Sequence, residues 1–202
     1  MISIIDYGMG NLRSVQKACE NLNKRAEIVS SPLELKKFDF IILPGVGHFG
    51  NAMEKIERKG WDKSIIDAVL GDKKKILGIC LGMQLLTNSS EESNGIKGLG
   101  LLNAETCKFP ISSFKIPHIG WNTIDFKKKS LLDSGFHKNE MYYFVHSYYV
   151  KCKIPTDVLC ESTYGIAFDS AFESNNIVGF QFHPEKSHRS GLNLLNNFLS
   201  QK

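Results

Sequence analysis

The sequence has few of the features that mark secreted, membrane or nucleic-acid-binding proteins. Its five cysteines are an odd number with no CxxC pair, so they do not outline a disulfide framework. The N-terminus, MISIIDYGMGN, lacks a basic signal-peptide segment, and no apolar run approaches the ~18 residues that span a bilayer. The 25 basic and 21 acidic residues nearly balance, without one basic stripe. We therefore expect a cytoplasmic protein with neither a membrane nor nucleic acid as partner.

The composition is that of an ordinary globular protein. The 202 residues are 42% hydrophobic and 23% charged, which predicts one domain over residues 1–202. Apolar runs and helical periodicity alternate in the first half, which favours right-handed crossovers and a mostly parallel sheet. The expected strands are residues 2–6, 26–29, 38–43 and 75–79, and the expected helices are residues 12–23, 51–58 and 62–70, with another starting near Pro32.

The pattern changes after Gly100, where short strands alternate with turn residues. The expected strands are residues 101–109, 119–126, 141–151, 158–162, 166–172 and 177–183, followed by a helix over residues 191–199. No linker separates the two halves, so we expect these strands to extend one sheet. The predicted fold class is α/β: a single domain with a mostly parallel central sheet, flanked by helices, and antiparallel strands added in the C-terminal half.

The segment ILGICLGMQLL, residues 76–86, is the strongest candidate for a catalytic site. An apolar strand ends at Cys80, with Gly78 two residues before it and Gly82 two residues after it. This spacing is typical of a nucleophile elbow, a sharp turn between a strand and a helix. A helix beginning near Leu81 would favour the reactive thiolate, and the Leu81 amide would be an oxyanion donor. Alone, the pattern fits a buried core cysteine equally well.

A cysteine nucleophile needs a base and a group that orients the base. In the segment NNIVGFQFHPEKS, residues 175–187, an apolar strand is followed by His183, Pro184 and Glu185. We expect an extended chain here, which would direct His183 and Glu185 to the same side. Strand ends meet at one edge of a parallel sheet, so His183 and Cys80 can be neighbours. A purely structural histidine is the alternative.

Two other kinds of site are not supported by the spacing of residues. The remaining histidines form no compact cluster with cysteines or carboxylates, so we predict no metal site. Gly8 and Gly10 begin a GxGxxG pattern, but Arg13 stands where its third glycine belongs. We therefore expect no cofactor.

The motifs around Cys80 and His183 resemble those of the class I glutamine amidotransferases. Within that family the sequence is most similar to the glutaminase subunits of imidazole glycerol phosphate synthases. Further matching motifs are spread over the chain in the family's order, and they are DYGMGN (6–11), LPGVGHFGNAM (43–53), PHIGWN (117–122) and YYFVHSYY (142–149).

The resemblance implies a role for each matching residue. Cys80 would attack the side-chain amide of L-glutamine to give a glutamyl thioester and ammonia, with His183 as base and Glu185 orienting it. The remaining implied roles are an oxyanion site from Gly45, Val46, Gly47 and the Leu81 amide, a glutamine site from Gln84, Glu92, Ser147 and Tyr148, and a partner interface with an ammonia gate from Asn11, His118, Tyr143 and Lys186.

The resemblance also implies an obligate heterodimer with a (β/α)8 cyclase subunit. That partner would use the ammonia to form imidazole glycerol phosphate and aminoimidazole carboxamide ribotide in histidine biosynthesis. The length of the chain leaves no domain to consume ammonia, which agrees with this expectation. An alternative is a paralogous glutaminase that supplies ammonia for amidation of a surface-polysaccharide sugar. A non-catalytic scaffold would not need Cys80, His183 and Glu185 together.

Overall fold

The computed structural model describes residues 1–110 and 114–201 of the chain. Strands alternate with helices in the N-terminal half, whereas in the C-terminal half the strands follow one another with 3-10 turns before β9 and β11. The strands are β1 Ile2–Ile5, β2 Ala26–Val29, β3 Phe40–Gly45, β4 Lys75–Cys80, β5 Ser89–Ser90, β6 Ala104–Lys108, β7 His118–Thr123, β8 Asp125–Phe126, β9 Met141–His146, β10 Tyr148–Cys152, β11 Val158–Tyr164, β12 Ile166–Ser174 and β13 Ile177–Phe180.

A large mixed sheet forms the centre of the protein. Across the described residues, its main strand order is β2-β1-β3-β4-β13-β12-β10-β6-β5, with β11 pairing β12 and β8. Strands β2, β1, β3, β4 and β13 are mutually parallel, and β12, β10 and β11 join antiparallel. The predicted α/β fold class is therefore confirmed. Strand β4 lies between β3 and β13, so the carboxyl ends of these three strands meet at Cys80.

The prediction that all C-terminal strands extend one sheet is wrong. Strands β7 and β9 pair with each other in a separate two-stranded sheet. The expected strand 141–151 is interrupted at Ser147, where the chain leaves β9 and enters the large sheet as β10. The expected strand 119–126 is likewise divided into β7 and β8. Local periodicity could not reveal this division because alternation continues on both sides of each break.

The helices lie close to their predicted positions. Their bounds are α1 Leu12–Asn21, α2 Phe49–Arg58, α3 Trp61–Ile66, α4 Leu81–Leu85 and α5 His188–Leu199. A π-helical turn, Asp67–Gly71, continues α3, and the segment Pro32–Lys37 is 3-10 helix rather than α-helix. No helix among the described residues has both the length and the apolar character needed to cross a membrane.

Alternate residues of the parallel strands supply two hydrophobic cores, one on each face of the sheet. Ile41 and Ile76 belong to the core that packs under α2, α3 and α4. Ile42 and Leu77, the next residue in each strand, belong to the core under α1 and α5. Apolar burial on both faces is the main favourable contribution to the stability of such a sheet.

Close contact between β4 and α4 fixes the position of the turn that joins them. A Cβ atom on Gly78 would lie 2.6 Å from the backbone oxygen of Gly82 and 2.7 Å from Cα of Met83. A Cβ atom on Gly82 would overlap the backbone carbonyl of Leu43 in β3. These neighbours are backbone atoms, so they cannot move aside like a flexible side chain.

We expect Gly78→Ala to lower the free energy of unfolding by about 1–3 kcal/mol, because β4 and α4 must separate to accept the methyl group. Gly71→Ala is the matched control, since a Cβ atom at Gly71 would meet no atom within 4 Å. Urea denaturation of both variants measures the difference. Equal stabilities would show that the close approach of β4 and α4 is not a constraint.

Candidate active site

Cys80 lies at the junction of β4 and α4 in an uncommon backbone conformation. Its φ is 55° and its ψ is −111°, although it carries a side chain. Residues other than glycine adopt positive φ at a cost of about 1–3 kcal/mol, and such strain is concentrated at functional sites. Helix α4, which is only five residues long, begins at the next residue, Leu81. The predicted nucleophile elbow is therefore the local geometry around Cys80.

The Cys80 sulfur has polar neighbours from two other elements. The carbonyl of Val145, in β9, lies 3.8 Å from Sγ. The side-chain Nε2 of Gln181 lies 3.8 Å from the same atom and can donate a hydrogen bond to it. Gln181 is fully buried and directly follows β13, the strand next to β4. A donor in this position stabilises negative charge on the sulfur.

His183 and Glu185 form a buried pair beside the cysteine. His183 Nδ1 lies 2.8 Å from Oε1 of Glu185, and both side chains are almost completely buried. The carboxylate oxygen only accepts, so Nδ1 carries a proton and Nε2 is left for the sulfur side. Residues Pro184–Lys186 form a 3-10 turn. The expected pairing is present. His183 is itself extended, as expected, but the chain turns at Pro184, so the expected extended chain does not continue to Glu185.

The electrostatic environment favours a positively charged His183. Burial alone would lower the pKa of this imidazole, but the Cys80 sulfur and the Glu185 carboxylate outweigh burial and raise the pKa to about 10. His183 Nε2 is buried and has no hydrogen-bond partner among the described residues. The Cys80 sulfur nevertheless raises the pKa of His183 first as a hydrogen-bond partner and then through its charge. A hydrogen bond of this kind is often long or poorly aligned in a free enzyme.

A cavity of about 320 Å³ joins the residues that the sequence indicated separately. Cys80 and His183 line it together, and most of the expected oxyanion and glutamine-binding residues surround them. The other lining residues are Val46, Gly47, Leu81, Gln84, Glu92, Pro117, Val145, His146, Ser147 and Tyr148. The volume is in the range of small-molecule sites.

The segment Gly45, Val46 and Gly47 borders the cavity at the end of β3. Gly45 is in register with Cys80 in the parallel pair β3–β4. Gly47 has a φ of 98°, a conformation that favours glycine, and Val46 is 42% exposed. The segment also lies against the start of α4, since a Cβ atom on Gly45 would be 2.9 Å from Cβ of Leu81. An oxyanion role for this segment stays a prediction.

Two of the expected glutamine-binding residues already make hydrogen bonds within the protein. Gln84 Nε2 donates to the carbonyl of Tyr148 at 3.1 Å and to Gln181 Oε1 at 3.1 Å. Glu92 Oε2 accepts from the amide of Phe49, the first residue of α2, at 2.7 Å. Both side chains line the cavity. Their hydrogen bonds join the wall of the cavity to the neighbouring elements.

The expected interface residues lie in two different environments. Lys186 is exposed, and its Nζ lies 5.7 Å from the ring centroid of Tyr143. Tyr143 is partly buried between Lys186 and His183, whose ring centroid is 6.5 Å away. Asn11 directly precedes α1, without a side-chain hydrogen bond to the first turn, and is also partly exposed. These three residues can be reached from the surface.

The expectation that His118 faces a partner is wrong for its side chain. His118 is only 3% exposed, because its ring stacks between Phe144 and Tyr164. Its Nδ1 lies 2.9 Å from Nε2 of His146. The neighbouring Ile119 and Trp121 alternate to the outer face of β7 instead.

A family model for class I glutamine amidotransferases matches residues 3–202 of the chain. The chain belongs to the class I glutamine amidotransferase family. A relative from Methanococcus maripaludis, named imidazole glycerol phosphate synthase subunit HisH 2, is 46% identical over the full length of both chains. A relative from Desulfitobacterium hafniense, named imidazole glycerol phosphate synthase subunit HisH, is 48% identical over 98% of this chain and 93% of its own length.

Two solved structures have the same fold as this chain. One, described as a glutamine amidotransferase, superposes with a TM-score of 0.78 at 16% identity, over 98% of this chain and 96% of its own. Another, described as PurLQS from Thermotoga maritima, has a TM-score of 0.77 at 21% identity over the same shares. At these identities the likeness concerns the fold alone.

Sequence reasoning missed two residues of this amidotransferase site. Gln181 directly precedes Phe182 and His183, but its contact with Cys80 becomes visible only once β13 is placed beside β4. His146 lies within the motif YYFVHSYY (142–149), but nothing local shows that it lines the cavity. Within residues 1–110 and 114–201, no group of three or more His, Cys, Asp or Glu side chains is arranged to hold a metal.

We expect the His183 imidazole to keep its proton well above its ordinary pKa, and to lose it at lower pH in Glu185→Gln. The carboxylate is one of the two groups that raise the pKa, so its removal must lower the titration midpoint. Cys80→Ala, which removes the other group, should lower the midpoint as well. NMR titration of histidine-labelled protein measures both shifts.

His183→Asn identifies the resonance, and His188→Ala is a control that should leave the midpoint unchanged, because His188 is exposed. The raised pKa also adds to folding stability below about pH 6.5, and this contribution is lost as pH rises through about 10. A wild-type midpoint near 6.5 would contradict the charged pair.

Proposed function

We propose that this chain is the glutaminase subunit of an imidazole glycerol phosphate synthase. The observation that carries the proposal is one cavity lined by Cys80 and His183, with Glu185 hydrogen-bonded to the far side of the imidazole. Full-length relatives at 46% and 48% identity carry the name of that enzyme's HisH subunit. The reaction is hydrolysis of L-glutamine to glutamate, with transfer of ammonia to a partner.

In the first half of the reaction, the Cys80 thiolate attacks the side-chain amide carbon of glutamine. The carbonyl electrons move to oxygen, and the resulting oxyanion accepts hydrogen bonds from the Leu81 amide and from an amide of the Gly45–Gly47 segment. His183 donates its proton to the leaving nitrogen, so ammonia departs and a glutamyl thioester remains. Glu185 keeps the imidazole oriented for this transfer.

In the second half, water attacks the thioester carbonyl. His183, now neutral, accepts a proton from the water, and collapse of the second tetrahedral intermediate breaks the carbon–sulfur bond. Glutamate leaves, and the thiolate–imidazolium pair is restored. Gln181 supports both halves, because its Nε2 lies 3.8 Å from the sulfur that becomes charged in each cycle.

The glutamine substrate has a hydrophilic head group that needs polar contacts remote from the sulfur. Gln84, Glu92 and the Ser147–Tyr148 loop line the cavity and can contact the α-amino and α-carboxylate groups. Glu92 is suited to the ammonium group, because a carboxylate pairs with a cation. This arrangement would select free glutamine over a glutamine side chain within a protein.

A partner is needed because ammonia in water is mostly ammonium and therefore not nucleophilic. The outer face of the β7–β9 sheet offers a docking surface beside the cavity. Ile119, Trp121 and Met141 are 58%, 43% and 43% exposed, and a cluster of this kind is typical of a protein interface. Tyr143 and Lys186 lie between this surface and His183, where ammonia would leave. We propose a (β/α)8 cyclase as the partner.

The acceptor of ammonia distinguishes the two pathways that remain. The names of the full-length relatives favour histidine biosynthesis over amidation of a surface-polysaccharide sugar. We therefore expect the gene to restore growth of a bacterium that lacks its own synthase glutaminase on medium without histidine. A failure to do so even when the cyclase from the same organism is co-expressed would favour the sugar pathway.

We expect Cys80→Ala to abolish glutamine-dependent product formation by the complex while leaving ammonia-dependent formation intact. The variant loses the nucleophile but keeps the docking surface, so the partner still receives added ammonia. Product formation with each nitrogen source, measured on the same complex, gives the comparison. Glutamine-dependent turnover by Cys80→Ala would refute the thioester route.

We expect Ile119→Glu to weaken binding of the cyclase by at least tenfold, because it places a charge in a surface that loses its hydration water when the partner binds. Leu33→Glu is the matched control, since Leu33 is 83% exposed on a 3-10 helix outside the β7–β9 sheet. Calorimetric titration with the cyclase measures both affinities. Equal weakening by the two variants, or by neither, would rule out this docking surface.

A further inference from the structure

A directional chain of buried hydrogen bonds runs from β7 to the wall of the cavity. His118 Nδ1 lies 2.9 Å from His146 Nε2, and His146 Nδ1 lies 2.7 Å from the carbonyl of Tyr148. At the far end, Asn122 Nδ2 lies 3.4 Å from His118 Nε2. Both imidazoles are nearly inaccessible to water.

The Tyr148 carbonyl, at the end of this series of hydrogen bonds, determines which ring nitrogen of each histidine carries the proton. The Tyr148 oxygen can only accept, so His146 carries its proton on Nδ1 and presents a bare Nε2. His118 must then donate from Nδ1, which leaves its Nε2 to accept from Asn122 Nδ2. Burial lowers the pKa of His118 to about 4 and that of His146 to about 3, so both rings are neutral near pH 7.

The Tyr148 carbonyl links these buried hydrogen bonds to the active site. It accepts a second hydrogen bond from Gln84 Nε2 at 3.1 Å, and Gln84 also donates to Gln181, which contacts the Cys80 sulfur. Two donors on one carbonyl fix the orientation of its peptide plane. Ser147 is the crossing between the two sheets and lacks regular pairing, whereas Tyr148 begins β10 and is in register with Lys108 of β6.

We propose that His118 is a positioning residue for the glutamine site: through His146 it fixes the Tyr148 carbonyl and with it the Ser147–Tyr148 loop. The inference rests on the proposed glutaminase function and assigns a task to a side chain that touches neither substrate nor sulfur. Without the donor on His118, the buried Nε2 of His146 loses its partner and the His146 ring is free to reorient. The loop then binds glutamine less well.

Two substitutions separate hydrogen bonding from packing at this position. His118→Asn keeps a donor, because the asparagine Nδ2 occupies the place of the imidazole Nδ1, but it loses the ring that stacks on Phe144 and Tyr164. His118→Phe keeps an aromatic ring for that stacking and cannot donate. Comparing the KM for glutamine of the two variants, each in complex with the cyclase, tests the proposal.

We expect His118→Phe to raise the KM for glutamine about tenfold, equivalent to about 1.4 kcal/mol, with a smaller change in kcat. His118→Asn should stay within about threefold of the wild-type KM. Alkylation of Cys80 by iodoacetamide should proceed at the wild-type rate in both. The opposite order of KM values, or equal KM values in both variants, would overturn the proposal.

A second readout does not depend on enzymatic activity. Nitrogen-15 NMR of the imidazoles in the wild-type chain should show protonated Nδ1 and unprotonated Nε2 for both His118 and His146 at pH 7. The opposite tautomer at either histidine would overturn the proposal even if the variants behaved as expected. If the wild-type complex does not hydrolyse glutamine, the proposed function fails, while the tautomers still decide whether the chain of hydrogen bonds exists.

Discussion

The backbone of Cys80 is held at φ 55° and ψ −111° between a strand and a helix that leave no room for side chains at Gly78 and Gly82. Gly82 lies so close to the Leu43 carbonyl that only a residue without a side chain fits between this turn and β3. The sulfur is therefore presented at the point where β3, β4 and β13 end together. Each neighbouring strand then leads to one part of the candidate site, β3 to the Gly45–Gly47 segment and β13 to His183.

Much of this arrangement could be predicted from the sequence because its signals are local. The glycine spacing around Cys80 predicted the elbow, and the apolar runs before Cys80 and His183 predicted two strand ends at one edge of a parallel sheet. Helix α5 begins three residues earlier than expected, at His188, and α1 ends two residues earlier, at Asn21. Such differences at element ends do not affect where Cys80, His183 and Glu185 lie.

The features that could not be predicted depend on contacts between distant segments. The alternation of residues 141–151 is continuous, so nothing local marks Ser147 as the crossing from the two-stranded sheet to the large one. His118 was expected at a partner interface, but the register of β7 with β9 places its ring opposite His146 in the interior. Gln181 likewise gains its contact with Cys80 only through the pairing of β13 with β4.

The central claim is that Cys80 carries the glutamyl group between release of ammonia and release of glutamate. Acid quenching of the cyclase complex during turnover of glutamine, followed by peptide mapping by mass spectrometry, tests it most directly. The account predicts one acid-stable glutamyl adduct on the peptide that contains Cys80, absent when glutamine is omitted. An adduct on another cysteine, or turnover with no adduct on Cys80 when deacylation is slowed, would contradict it.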